Sequence, residues 1–333
     1  MKVTLSELAR YLGISEASVS LALNDKKGVS PRTRKKVLEA ADKLGYTPNY
    51  FARSLATQTG NSIGLIVPEV ENPFYGALTQ RIDRAVRANG YQLLLGFSDF
   101  SLKTEEDMIK QFIAMRASGI IISPVYEYYT SDSYRQTVTQ SETRILYVGS
   151  HYDFQHHYVM TNLMEGSYQL TKQLLDRGYR RIVFLSGDPE VVIARERLMG
   201  FQAAYTQNGI QEGSQVIVCH QFNFDEAYQL TKEMLKKDEP LDAIISMNDI
   251  MALGVMKAIL ETGRKIPEDI AVAGYDDVIF SSLSTVPLTT VRQPIDELAQ
   301  MSVDRLLSLK EQERTEQMVQ IKVTPELIIR SSV

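Results

Sequence analysis

VTLSELARYLGISEASVSLALN, residues 3–24, has the pattern of two short helices joined at a glycine. Thr4 and Glu7 have the spacing of a capping box, and the apolar residues that follow recur at helical intervals. Gly13 ends the first helix, and Ser15 is a suitable N-cap for the second. Two helices in this order are typical of a helix-turn-helix motif, in which the second helix enters the DNA major groove.

The residues that follow complete a small basic head. Ser30 and Pro31 are typical of a helix start and Gly45 of a helix end, so they predict a third helix. Residues 1–60 contain ten Lys and Arg against five Asp and Glu, a net charge of +5. Since the whole chain carries −5, residues 61–333 carry −10. A basic head on an acidic body favours a DNA-binding module over the alternative, a solvated three-helix bundle.

Length and composition limit the classes of function. A chain of 333 residues is long enough for this head and for a two-lobed body with ordinary cores. Its single cysteine, Cys219, excludes an intramolecular disulfide, and we interpret it as a small buried hydrophobic residue. The first residues do not resemble a signal peptide, and no apolar run is long enough to cross a bilayer. We therefore expect a cytoplasmic protein with no membrane contact.

From residue 61 onwards, strand-like and helix-like segments alternate. Residues 62–68, 91–97, 119–124 and 144–149 are short apolar runs bounded by turn residues, which indicate buried parallel strands. The same alternation begins again after residue 164. The pattern predicts an α/β body of two lobes, each built on a parallel sheet with helices on both faces. Ligands bind at the carboxyl ends of such strands, so we expect a cleft between the lobes.

A series of motifs runs along essentially the whole chain: VTLSELARYLGISEASVS, VSPRTRKKVLEAADKLGYTPN, ARSLA, NSIGLIVPEVENPFYG, SGIIISP, ERLMGF, MNDIMALGVMKAI, IPEDIAVAGYDD, PLTTVRQP and ELIIRSS. In this order and spacing they resemble the LacI/GalR family of bacterial transcription regulators. The resemblance implies an all-α helix-turn-helix head at 1–48, a hinge helix and linker at 49–60, and an effector-binding core at 61–333 like the periplasmic sugar-binding proteins. The first lobe would span about 61–160 and 292–320, and the second about 161–291 and 321–333.

The resemblance also implies which residues contact DNA. Glu16, Ala17 and Leu21 would face base edges, where Glu16 can accept from cytosine and the apolar pair can meet thymine methyl groups. Alternatively, Glu16 is a solvated acid that stabilises the helix N-terminus. Leu55 would enter the minor groove as a wedge, or it packs on the head. The expected DNA contacts, including hydroxyls that face phosphates, are Thr4, Ser15, Glu16, Ala17, Ser18, Ser20, Leu21, Asn24, Ser30, Thr33, Asn49, Ala52 and Leu55.

An effector site is implied in the cleft. Arg197 matches the family's ligand-binding arginine, Asp276 its hydroxyl-binding carboxylate and Asn248 the neighbouring amide. Such a set of donors and acceptors suits the vicinal hydroxyls of a sugar. Phe222 matches an aromatic lid residue. The expected effector contacts are Asn72, Phe74, Ser123, Arg197, Phe222, Asn248, Asp276 and Gln293.

The first lobe departs from the sugar-binding members of the family. Gly149 stands where Asp is frequent, and Ser123 where some members have Asn, so a monosaccharide is not assured. Tyr126, Tyr128 and Tyr129 follow a predicted strand end. They stack on a larger or glycosidic ligand, or they are exposed aromatic residues of a loop.

Other chemical patterns are weaker. His151, His156 and His157 lie in a predicted loop without the spacing of metal ligands, so we expect no metal and no cofactor. Asp276 and Asp277 are adjacent carboxylates, as in some catalytic pairs. Neighbours on a strand point to opposite faces, however, and cannot flank one glycosidic bond.

The sequence therefore predicts a DNA-binding transcription regulator, a repressor of carbohydrate-utilisation genes controlled by a sugar-like effector. Its partner would be a pseudo-palindromic operator in double-stranded DNA. The alternatives are a sugar-binding protein of the transport type, an enzyme on the same scaffold, or a regulator that responds to a nucleobase. No leucine heptad follows Ile329, so we expect a homodimer rather than a tetramer. Some relatives use a phosphocarrier protein, and the sequence leaves such a partner open.

Overall fold

The computed structural model describes residues 3–23, 27–46, 61–127, 130–210, 212–237, 239–309 and 318–333. The predictions for Asn24, Asn49, Ala52 and Leu55, and those for Tyr128 and Tyr129, lie outside the described residues. The chain divides between Gly60 and Asn61 into two compact units, the head and the body.

The head consists of α1 (Leu5–Leu12), α2 (Glu16–Leu23) and α3 (Pro31–Lys43). The capping box is confirmed, because the Thr4 hydroxyl accepts from the Glu7 N–H and the Glu7 carboxylate accepts from the Thr4 N–H. Gly13 ends α1 with φ 65°, a left-handed conformation that favours glycine. Leu8, Val19 and Val37 are fully buried and form the centre of the core between the three helices.

The first sheet of the body has six strands in the order β11-β5-β4-β3-β1-β2, all paired in parallel. The strands are β1 (Ser62–Val67), β2 (Gln92–Phe97), β3 (Gly119–Ile122), β4 (Arg144–Val148), β5 (His157–Thr161) and β11 (Gln320–Val323). β11 pairs with β5 at the edge of this sheet, so the sheet includes a strand from the end of the chain, residues 320–323.

The second sheet has four parallel strands in the order β7-β6-β8-β9. They are β6 (Ile182–Ser186), β7 (Ser214–Val218), β8 (Ala243–Ser246) and β9 (Ala271–Ala273). A short antiparallel pair, β10 (Thr290–Arg292) with β12 (Glu326–Ile328), follows. Two parallel sheets in one body agree with the predicted α/β class, in which each lobe has its own sheet.

Nine helices among the described residues of the body connect and cover the strands. They are α4 (Pro73–Ala88), α5 (Leu102–Ala114), α6 (Asp132–Thr139), α7 (Leu163–Asp176), α8 (Val192–Gln207), α9 (Phe224–Lys236), α10 (Asp249–Glu261), α11 (Ile279–Leu283) and α12 (Ile295–Ser308). Within the described ranges, none is both long and apolar enough to span a membrane.

Several helices of the body begin at an asparagine that follows a strand. Asn72 caps α4 and Asn248 caps α10, each with its side-chain oxygen accepting a backbone N–H of the first turn. Asparagine is favoured there because its short acceptor satisfies an N–H that has no partner within the helix. The same choice puts a polar side chain at the carboxyl end of a strand, which is where the cleft lies.

Candidate functional site

The outer face of α2 carries the residues predicted to read bases. Ser15 is the N-cap, because its hydroxyl oxygen accepts the Ser18 N–H at 3.2 Å. Val19 and Ala22 are buried, whereas Glu16 and Ala17 are exposed at the first turn. These two side chains are therefore accessible to a duplex.

Leu21 is only partly buried, and it has a packing role as well. A Cβ atom built on Gly28 would lie 3.1 Å from the Leu21 Cδ1 atom, so the leucine covers a glycine with φ 119°. The other hydroxyls predicted to face phosphates include those of two helix caps. Thr4 caps α1, and Ser30 caps α3 by accepting the Thr33 N–H at 3.1 Å.

In the body, residues from both sheets surround one small cavity. Every predicted effector contact except Phe222 lines it. The lining consists of Asn72, Phe74, Tyr75, Ser123, Pro124, Tyr126, Gly149, Ser150, Ile193, Arg197, Met247, Asn248, Asp276 and Gln293. Its volume is about 30 Å³, room for a water molecule or two.

A buried ionic network forms the polar end of the cavity. The Arg197 Nη2 atom donates to Asp276 Oδ1 at 3.2 Å, and Gln293 Nε2 donates to the same oxygen at 2.7 Å. Arg197 Nη1 also donates to the Met247 carbonyl at 2.6 Å. Burial raises the pKa of Asp276 to about 6, although the Arg197 charge and the Gln293 hydrogen bond act to lower it. The carboxyl is thus held by two side-chain donors.

This network has hydrogen-bonding capacity to spare. Arg197 Nε is buried and has no hydrogen-bond partner among the described residues. Both side-chain donors to Asp276 reach Oδ1 rather than Oδ2. A ligand that carries neighbouring hydroxyls, each able to donate and to accept, is suited to such a pair of groups.

Phe222 lies at the edge of the cavity rather than in its lining. Its backbone has φ 53°, a strained conformation for a side chain of this size, and Asn248 Nδ2 donates to its carbonyl at 3.1 Å. Its ring lies against Gly187, where a built Cβ atom would be only 2.0 Å from a ring carbon. The Phe222 ring can therefore occupy this position only because Gly187, at the end of β6, has no side chain.

The role of Tyr75 was not predicted from the sequence, and Tyr126 had two interpretations. The two hydroxyl oxygens are 2.5 Å apart, and the Tyr126 ring is only partly exposed. For Tyr126, the interpretation as an exposed loop aromatic is wrong. Tyr75 follows Phe74 directly on α4, and adjacent helical residues do not share a face, so no pattern indicated that both reach the cavity.

A buried carboxylate holds the loop that carries Tyr126. Glu105 Oε2 accepts the Val125 N–H at 3.0 Å, and Oε1 accepts the Tyr134 and Tyr152 hydroxyls at 2.6 and 3.0 Å. Burial raises the pKa of Glu105 to about 7 although these hydrogen bonds act to lower it. No pattern in the sequence indicated this network, because its members come from separate elements.

The other residues considered as metal ligands or reactive groups are buried or held in ion pairs. His156 is buried, and burial lowers its pKa to about 3. In the described ranges, no three His, Cys, Asp or Glu side chains form a group that could hold a metal ion. Cys219 is buried, as predicted. Asp277 binds Arg292 at 2.7 Å and Arg330 at 2.6 Å, partners different from those of Asp276.

Comparisons with known proteins agree with this architecture. The model for bacterial regulatory proteins of the lacI family matches residues 4–49, and a periplasmic binding protein-like domain matches residues 171–333. The transcriptional repressor PurR of Pasteurella multocida is 30% identical over 331 residues, covering 99% of this chain and 98% of that protein. The ribose operon repressor of Escherichia coli K12 is 29% identical over 329 residues, covering 99% of each.

A solved structure extends the similarity to the fold. The Lac repressor dimer bound to operator and the anti-inducer ONPF has a TM-score of 0.86 and 29% identity, covering 100% of this chain and 99% of that one. The predicted fold class is confirmed, as is the prediction of a DNA-binding regulator rather than an enzyme. The chain belongs to the LacI family of bacterial transcriptional regulators.

Proposed function

We propose that this regulator represses carbohydrate-utilisation genes and that a sugar-like effector bound in the cleft controls it. The observation that carries the proposal is the buried network of Arg197, Asp276 and Gln293 with unused hydrogen-bonding capacity. The N–H donors of the Arg197 guanidinium lie beside the Asp276 carboxylate and the Gln293 amide, and such a set of donors and acceptors can bind vicinal hydroxyl groups. The similarity to a ribose operon repressor also supports a sugar.

Operator binding requires two copies of the head. Members of this family bind operator DNA and small-molecule effectors and act as dimers. We propose a homodimer formed by the body, acting in the cytoplasm on a pseudo-palindromic operator. Two exposed apolar patches support this: Leu95 and Phe97 on the edge strand β2, and Ile279, Phe280 and Leu283 on α11. Monomeric proteins seldom leave several large apolar side chains exposed together.

Effector control would act through the angle between the lobes. Groups from both lobes line the cavity, so a bound molecule that contacts both favours one lobe arrangement over others. That arrangement would decide whether two copies can present their hinges to one operator. In this scheme Leu55, at the predicted hinge, enters the minor groove and kinks the duplex.

Calorimetry against pentoses, hexoses, methyl and phenyl glycosides, and nucleobases would identify the effector. The matched variant is Asp276→Asn, which keeps the side-chain volume and removes the charge. A sugar that binds the parent and loses about tenfold or more in affinity for the variant supports the proposal. If a nucleobase binds and no sugar does, the proposed sugar effector is wrong and the protein is a regulator that responds to a nucleobase.

The DNA half of the proposal has a separate test. In a gel shift with the chain's own promoter region, Leu55→Ala should bind more weakly than the parent, while its calorimetric effector affinity stays unchanged. If the variant retains full operator affinity, Leu55 is not a wedge. If the parent binds the promoter no better than unrelated DNA, the proposed operator is wrong.

A further inference from the structure

Tyr126 joins the two lobes across the cavity. It follows β3 of the first lobe, and its ring centroid lies 5.3 Å from that of Phe100 in the same lobe. On the other side, its ring centroid lies 4.6 Å from that of Phe222, which follows β7 of the second lobe. Its hydroxyl is 2.5 Å from that of Tyr75. The side chain is thus held by aromatic contacts on two sides and by a hydrogen bond at its end.

Tyr126 is one of the side chains that line this small cavity. About 30 Å³ is far below the roughly 300–1,000 Å³ of pockets that hold small molecules. Burial raises the pKa of Tyr126 to about 12, and the Asp276 charge adds to the rise while the Arg197 charge opposes it. Tyr126, Arg197 and Asp276 all line the cavity, so the phenol shares this space with the buried ion pair. A sugar-sized molecule needs more space than this cavity provides, and part of that space is taken by the Tyr126 ring.

We propose that Tyr126 occupies an aromatic subsite of the effector cleft and that the effector displaces it with a flat ring of its own. This inference rests on the proposed function of the cleft as the effector site. The effector would place hydroxyl groups on Arg197 and Asp276 and stack its ring on Phe222. An aryl glycoside and a nucleoside both have this chemistry.

Displacement of Tyr126 would favour effectors with a flat ring, a selectivity that the polar residues alone do not provide. A molecule with a flat ring replaces the contacts that Tyr126 gives up, because offset and tilted aromatic pairs are favourable. A bare monosaccharide displaces the same side chain without replacing its ring contacts. Every ligand that displaces Tyr126 loses apparent affinity in proportion to the fraction of molecules in which Tyr126 has left the cleft, and only a ligand with a flat ring regains the ring contacts.

Chemical complementation tests the subsite without any knowledge of the effector. Tyr126→Gly removes the phenol, and p-cresol is that side chain detached from the backbone. Apolar cavities made by such truncations can bind the missing group. By calorimetry and thermal melting, p-cresol should bind Tyr126→Gly at least about tenfold more tightly than the parent. It should also raise the melting temperature of the variant only.

Two further variants make the result specific. Tyr126→Phe keeps the ring and loses only the hydrogen bond to Tyr75, so it should not bind p-cresol. Tyr126→Gly combined with Phe222→Ala should lose the p-cresol site, because one wall of it is gone. Folding of each is checked by circular dichroism, and Tyr126→Ala, with phenol in place of p-cresol because alanine keeps Cβ, replaces the glycine variant if that one is unfolded. Equal p-cresol binding by parent and folded variant would overturn the proposal.

A competition experiment identifies which class of effector carries the flat ring. Phenyl glycosides and nucleosides are titrated against p-cresol bound to Tyr126→Gly, with methyl glycosides as the matched controls without a flat ring. Displacement by phenyl glycosides or by nucleosides, but not by methyl glycosides, supports the subsite and names its class. If neither class displaces p-cresol, the space is not an effector subsite. Because no DNA is involved, these results stay separate from any failure of operator binding.

Discussion

Arg197 and Asp276 form an ion pair whose side chains are each only 6% exposed, with Nη2 and Oδ1 3.2 Å apart. The Arg197 Cζ atom also lies 3.9 Å from the centroid of the Tyr275 ring, so the cation has a second neighbour that stabilises it. Removing one partner of a buried pair leaves the other charge unpaired, which costs roughly 3–5 kcal/mol. A truncation here therefore disturbs the fold as well as any ligand contact, and the choice of variant matters.

The first prediction uses Asp276→Asn, which avoids the cavity of a truncation but also leaves the Arg197 charge unpaired, so the melting temperature of the variant is measured beside its affinity. The amide keeps the volume and one acceptor, but it loses the charge-assisted hydrogen bond to an effector hydroxyl, worth roughly 1.5–3 kcal/mol. We expect about tenfold or more weaker effector binding by calorimetry.

The control for this variant is Asp249→Asn. Asp249 is buried and accepts from Thr290, Val278 and Ser281, but it does not line the cavity. The Asp249→Asn variant should have a lower melting temperature than the parent and nearly the same effector affinity. Equal losses of affinity in both variants would mean that Asp276 only maintains the fold.

The second prediction concerns pH and Glu105. Its pKa is about 7 in the fold and near 4.5 when unfolded, so between these values the folded state binds more protons. Its contribution to stability is therefore present below about pH 4.5 and is lost as pH rises through about 7, by about 3 kcal/mol at most. Glu105→Gln should flatten the fall in the free energy of unfolding between pH 5 and 8, measured in urea.

Two other buried carboxyls also make the free energy of unfolding fall as pH rises, since the pKa of Asp249 is raised to about 7 and that of Asp276 to about 6. The variant should therefore reduce the slope without abolishing it. Glutamine also keeps only one of the two acceptor oxygens, so at pH 5 the parent should be the more stable by about 1 kcal/mol. An identical pH slope in parent and variant would contradict the assignment of the raised pKa to Glu105.

The third prediction concerns the recognition helix. Leu21→Arg supplies the bidentate guanine contact that this chain lacks, which discriminates by about 1–3 kcal/mol against other bases. Selection from a randomised operator library should show a new preference for guanine at one position of each half-site. Leu21→Met is the control, because it has no donor, and it should select the parent operator. A change of affinity that is equal for all sequences would place residue 21 away from the bases.

The fourth prediction concerns assembly. Leu283 on α11 is 71% exposed, so Leu283→Lys should leave the folded body intact while it disrupts an apolar interface. Sedimentation at low concentration should show a monomer, and operator affinity should fall because the two heads no longer bind together. The matched control, Met199→Lys, changes a 47% exposed residue on α8 and should remain dimeric. A dimer that survives in Leu283→Lys would place the interface elsewhere.

The sequence was sufficient for the helix boundaries of the head, because caps such as Thr4 and Ser30 are local signals. It was also sufficient for the positions, though not the roles, of Asn248 and Asp276 beside the cleft, whereas Arg197, within α8, was expected from the family resemblance alone. Residues that follow parallel strands or begin the next helix gather at one edge of a sheet. Here the alternation of strands and helices decides the location, and the family resemblance adds which side chains to expect.

The conformation of Tyr126 could not be predicted in this way. It follows a strand in an irregular segment, where no periodicity indicates the direction of a side chain. Its hydroxyl meets that of Tyr75, 51 residues earlier, and the Glu105 network spans up to 47 residues. The positive φ angles of Phe222 and Asp276, 53° and 113°, depend on surrounding contacts that no local rule describes.

Asn248 makes two hydrogen bonds with one planar group. Its oxygen accepts the Met251 N–H at 2.8 Å at the start of α10, and its nitrogen donates to the Phe222 carbonyl at 3.1 Å. Because the amide plane is rigid, the two bonds cannot be adjusted independently. A displacement of Phe222 therefore pulls on the first turn of α10, a helix of 13 residues and about 20 Å. Asn248 therefore couples the backbone of an aromatic residue at the cleft to the start of a helix of the second lobe, so that neither can shift alone without the loss of a hydrogen bond.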